Sequence, residues 1–236
     1  MFRSDNPADP VYREVDDDVG LQRFMIAVYA YMGAGLAMTG AVAYGAAASG
    51  LYRAIAGTPL FWVVLLAPLA VVVLLSSAVG RMSVVAAQAT FWVYAVLNGL
   101  SLSGIFIVYT GSSIAGTFFA AAATFGVMSV VGFVTRVDLT RAGPLLFMGL
   151  VGVIIADLVN FFMKSSVLQF AVSLIAIAIF VGLTAFDTQR IKGMYRSRPD
   201  LGMAKGAVMG ALSLYLDFIN LFLLFLQFTG DRRRRG

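Results

Sequence analysis

Cysteine and histidine are both missing from the 236 residues. Without cysteine there is no disulfide framework and no thiolate metal site. Without histidine the chain lacks the commonest general base, the commonest transition-metal ligand and the usual pH switch. A Ser–His protease is therefore excluded, a zinc hydrolase is disfavoured, and any proton chemistry falls to carboxylates, Lys or Tyr. Charge is also scarce: 12% of residues are Asp, Glu, Lys or Arg, against about 25% in a soluble domain. The net charge of +5 does not point to nucleic acid, because the basic residues fall in loops and at the chain end. No basic region precedes the first apolar run, so no cleavable signal peptide is expected.

What fills the chain instead is apolar: 60% of residues are hydrophobic and the mean hydropathy is +0.89. Seven apolar segments stand near 22–47, 60–80, 83–109, 113–134, 145–163, 167–187 and 207–229. About 20 apolar residues cross a bilayer, and inside lipid each segment must satisfy its own backbone groups, which makes it a helix. No ten-residue alternating strands occur, so a barrel is ruled out. The expected fold is an all-α, seven-helix membrane bundle over residues 22–229. An acidic cytosolic tail, 1–21, precedes it, with six acids and two Arg in its first 20 residues, and a basic tail, 230–236, follows. Pro68 should kink the second helix. The Gly33–Ala37 and Gly206–Gly210 spacings suit close helix packing.

Orientation follows the excess of Lys and Arg in cytosolic loops. With the N-terminus inside and seven full crossings, the inner face holds eleven basic residues and the outer face six, out of the 17 in the chain. The terminal "RRRR" resists this, since it would lie outside. A re-entrant last segment would bring it in, and the seven-crossing arrangement is preferred only narrowly.

Three acids interrupt the apolar runs: Asp157, Asp187 and Asp217. A carboxylate at a helix centre costs about 2.5–3.5 kcal/mol on insertion scales, so each is a functional candidate. The plainer alternative is a protonated Asp bonded to a backbone carbonyl. Asp157 and Asn160 form "DLVN", and Asp217 and Asn220 form "DFIN"; three apart, each pair shares a helix face. Gln88 and Asn98 add neutral oxygens on the third segment. Arg81 lies in the short turn between segments two and three. Oxygen donors alone suit Ca²⁺, or Mg²⁺ with waters. Two facing carboxylates share one proton more cheaply than they bear two charges. An intramembrane aspartyl protease would use such a pair, but its "YD" and "GLGD" motifs are absent. Counted from the basic 190–205 loop, Asp187 is about one turn deep and Asp217 several turns deeper, so vertical helices ending at that loop would not bring them together.

The stretches "AVLNGLSLSGIFIVYTGSSIAGTFFAAAATFGVMSVVGFVT", "GLTAFDTQRIKGMY" and "GALSLYLDFINLFLLFLQF" resemble bacterial members of the Bax inhibitor family, over about residues 20–229. The resemblance implies six helices around a central, C-terminal seventh. It implies a pH-sensitive calcium-leak channel in which Asp187 and Asp217 share a proton and hold the pore shut when protonated. It also implies a basic latch on the sixth-helix aspartate, for which Arg81 is the candidate. Asn220, Asn98 and Asp157 stand as accessory residues, and Asp157 lies outside the motif. The expected partners are the lipid bilayer, calcium and protons, with a membrane protein partner as a further option. No enzymatic activity and no cofactor are expected beyond Ca²⁺ as permeant or bound ion. The expected location is the bacterial inner membrane. Two other functions fit less well: a non-transporting membrane regulator of a protease or stress complex, and a proton-coupled transporter, for which no paired broken helices mark a substrate site.

Overall fold

Long apolar runs bounded by Gly, Pro and short polar turns fold as helices that must pack through their less bulky faces. The computed structural model describes residues 10–233, without the side chains of 10–17 and of Pro199. Seven membrane-spanning helices form the bundle: α1 (Pro10–Ala48), α3 (Pro59–Ala78), α4 (Val84–Leu102), α6 (Gly111–Val134), α7 (Ala142–Met163), α8 (Ser166–Ser197) and α9 (Gly202–Thr229). Two short helices, α2 (Leu51–Ile55) and α5 (Ile105–Val108), lie in the connections after α1 and α4. No strand occurs among the described residues, so the chain is an all-α integral membrane protein.

The seventh span is the core. Of its most apolar stretch, 61% is buried in the protein, against 11% for the second and fifth spans. Helix α9 touches α8, α1, α6, α4 and α3. Its Val208, Leu214 and Leu221 are fully enclosed. The outer helices turn large side chains such as Phe161, Phe162 and Val167 outward, each more than 70% exposed, as a surface solvated by lipid chains requires. Pro68 sits inside α3 and is buried there. The two small-residue pairs divide: a side chain at Gly206 or Gly210 would meet Phe24 or Val28 of α1, whereas Gly33 faces open space. Closer approaches occur at Gly132, where a Cβ would overlap the Ala185 carbonyl of α8, and at Gly99, where it would lie 2.7 Å from the Thr39 carbonyl of α1.

Two helices outrun the apolar segments. Helix α1 begins at Pro10, so the tail expected over 1–21 is helical in its second half; residues 1–9 lie outside the described part. Helix α8 continues to Ser197, ten residues past the end of its apolar segment. The extension of α8 meets α1 where Tyr195 packs on Phe24, ring centres 5.6 Å apart, and where Arg196 and Asp18 form an exposed pair at 3.9 Å.

The last helix crosses fully. Lys205, at its start, donates to the carbonyls of Gly80 and Met82 in the α3–α4 turn, both at 3.4 Å. Past its far end, Asp231 and Arg233 bond to the chain around α5: Thr110 N donates to the Asp231 carbonyl at 3.1 Å and Arg233 N to the Val108 carbonyl at 2.9 Å. Residues 231–233 therefore lie at the opposite end of the bundle from the 190–205 segment. Arg234 and Arg235 of the basic tail lie outside the described residues.

Candidate functional site: a carboxyl pair inside the bundle

Tyr215 fixes the rotation of α9. Thr39 Oγ1 donates to the Ala95 carbonyl at 2.8 Å. Its remaining capacity is as an acceptor, so the Tyr215 hydroxyl donates to it at 2.6 Å. Asn98 Nδ2 donates to the same hydroxyl at 2.7 Å. This buried chain ties α9 to α1 and α4. Asp217 stands two residues on, about 200° around the helix, and so faces away from that network.

Helix α8 lies on that side. The Asp187 and Asp217 carboxyl groups lie near enough to interact electrostatically. The extension of α8 to Ser197 reduces the expected mismatch in depth. Asp187 is about 15 Å along the helix from that end, and Asp217 about 22 Å from the start of α9. Helices α6 and α8 also approach closely there, because Gly132 leaves room for the backbone at Ala185.

The two acids differ in surroundings. The Asp187 side chain is 13% exposed, and its Oδ1 receives Arg190 Nη1 at 3.2 Å. Asp217 is 5% exposed, and its Oδ2 has no hydrogen-bond partner among the described residues. An unpaired buried oxygen of this kind is costly; a proton shared with its neighbour or a bound cation would relieve it. Among the described residues no group of three acidic, His or Cys side chains gathers anywhere. The site offers two carboxyls rather than a closed cation cage.

The other candidates are placed as follows. Arg81 is exposed, and its side chain makes no ion pair among the described residues. The guanidinium at Asp187 belongs to Arg190, one helical turn along the same helix. Asn98 acts through Tyr215 and not on the pair directly. Asn220 bonds the Leu216 carbonyl of its own helix at 2.8 Å. Asp157 is exposed on the outward face of α7, whereas Asn160 turns inward, donating to Gln169 at 2.8 Å and accepting from Ser165 N at 3.0 Å. The "DLVN" pair thus differs in exposure, with Asn160 closing the α7–α8 turn. Gln88 donates to the Tyr31 hydroxyl at 2.6 Å.

Sequence reasoning missed three contributors. Arg190 was signalled by its i+3 spacing from Asp187. Gln189 clamps the α6–α7 loop, accepting from Leu139 N and donating to the Val137 carbonyl, both at 2.8 Å. Thr188 bonds Ser129 at 2.9 Å, and Ser129 bonds Tyr29, linking α8 to α6 and α1 beside the pair. Nothing in the sequence pairs those hydroxyls.

Comparison with known proteins bears on the whole chain. The family model "Inhibitor of apoptosis-promoting Bax1" matches residues 21–234. An uncharacterized protein of Rickettsia prowazekii is 47% identical over 92% of both chains. The inner membrane protein YbhL of Escherichia coli is 44% identical over 93% of this chain and 96% of its own. An uncharacterized protein of Caulobacter vibrioides is 40% identical over 96% and 95%. With a full-length family match on a seven-helix bundle, the chain belongs to the Bax inhibitor family of membrane proteins.

Proposed function

We propose that the protein is a calcium-leak channel of the bacterial inner membrane, closed by a proton shared between Asp187 and Asp217. What supports this is the closeness of two carboxyls inside the bundle, one with a buried oxygen that no described residue satisfies. At low pH one proton bridges the pair and joins α8 to α9. As pH rises the proton leaves, and two negative charges in a poorly hydrated site repel each other. The helices then separate, or a cation comes between the oxygens. Calcium suits the vacated position because it prefers hard oxygen ligands and tolerates irregular geometry. Two ligands hold it weakly enough to leave, as conduction requires.

The inner membrane location rests on the name of the Escherichia coli relative. The cytosolic assignment of the end bearing Arg81, Arg136, Arg141 and the 190–205 segment rests on its excess of basic residues. The direct test is calcium uptake into liposomes containing the purified protein, from about pH 6 to about pH 8. Uptake that climbs with pH and vanishes in protein-free liposomes supports the channel. No uptake at any pH overturns it and leaves the non-transporting regulator.

A further inference from the structure

At the end of the bundle opposite the 190–205 segment, three arginines converge on one cleft. Arg53 of α2, Arg232 and Arg233 line a cavity of about 650 Å³ together with Tyr44, Phe106 and Ile107. The convergence is built by the fold. The chain after α9 pairs antiparallel with Tyr109 through Arg232, and the Arg233 side chain donates from Nε to the Tyr109 carbonyl at 3.1 Å. Asp231 N donates to Ser113 Oγ at 2.9 Å. Tyr44 packs edge-on against Phe106, ring centres 5.7 Å apart, which brings the end of α1 against α5.

No carboxylate pairs with any of the three arginines among the described residues; the ion pairs found there are those of Asp187, Asp18 and Asp200. Asp231, the acid next in sequence, is exposed and forms none of them. Three guanidinium groups around one cleft repel one another, and the shared complement to their charge is an anion with several acceptor oxygens. Phosphate fits best, because the guanidinium fork matches its geometry. The cleft opens at a helix end, where lipid headgroups lie, and its remaining wall is aromatic and aliphatic. A free phosphate would leave that wall unused, whereas a phospholipid would cover it with its glycerol and upper acyl chain.

We propose that this cleft binds the phosphate of an anionic phospholipid, held by Arg53, Arg232 and Arg233. The site lies at the far end of α9 from Lys205 and is independent of the carboxyl pair. It also gives Arg232 and Arg233 a role on the face where basic residues are otherwise sparse: they hold a lipid.

The test uses the full chain, delipidated in neutral detergent, with native mass spectrometry and thermal melting as readouts. Wild type should retain phosphatidylglycerol in preference to phosphatidylcholine and melt at higher temperature when it is added. The combined Arg53→Gln, Arg232→Gln and Arg233→Gln variant should bind phosphatidylglycerol roughly 100-fold more weakly while melting like wild type in phosphatidylcholine. Equal retention of the two lipids by wild type, a comparison that needs no variant, overturns the proposal. So does undiminished phosphatidylglycerol binding by the folded triple variant. Competition by glycerol phosphate at the same concentration as the lipid would assign the cleft to a soluble anion and overturn the lipid assignment.

Discussion

Asp187 stands between an acid and a base, and its neighbours set its behaviour. Arg190 is the charged partner of Asp187, so Arg190→Gln should shift the calcium flux–pH curve toward higher pH. Arg81→Gln should leave the curve in place, because its side chain does not reach the pair; liposome flux measured on both variants checks the contrast. Tyr215 works through geometry. Its hydroxyl satisfies Asn98 and donates to Thr39, so Tyr215→Phe strands a buried amide donor. The expected loss is about 1–3 kcal/mol of stability, read from unfolding in detergent. Asp187, Asp217 and Asn98 were legible in the sequence as polar side chains in apolar runs. Asp157 carried the same signal, and the structure turns it outward. Hydropathy marks where a charge interrupts a span but not which face bears it. Asp157 stays exposed although Asn160, three residues on, is buried.

At the scale of single helices, all seven spans were legible because lipid leaves one solution for a backbone without water. Their ends were less so. Helix α8 runs ten residues past Asp187 through "TQRIKGMYRS", where charge ends the hydropathy signal while Gln, Arg, Lys and Met sustain the helix. That extension is what brings Asp187 toward the depth of Asp217. The Gly132 contact was not legible either, because close approach depends on the partner backbone at Ala185. Gly132→Ala should push α6 from α8 and cost about 1–3 kcal/mol. Gly126→Ala, on the same helix but facing open space, should melt at or slightly above wild type. Melting of the two variants side by side separates close packing from intrinsic helix propensity.

For the molecule as a whole, the central α9 was implied by family resemblance, and the 61% burial of its most apolar stretch makes physical sense of an acid within it: the surrounding spans keep Asp217 from lipid. The C-terminal crossing was ambiguous in sequence because "RRRR" argued against it; hydrogen bonds from residues 231–233 to the α5 region resolve it. The absence of cysteine makes topology directly measurable. A Cys placed at Ser197 should react with an impermeant reagent from the cytosolic side, and one at Ser166, at the opposite end of α8, only from the other. The central claim is that one shared proton between α8 and α9 controls conduction. Its most direct test is calcium flux in liposomes containing Asp217→Asn or Asp187→Asn, compared with wild type over the same pH range. The account predicts that wild-type flux rises with pH and that each variant, lacking a proton to share, gives flux independent of pH. Variants that keep the wild-type pH profile would contradict it.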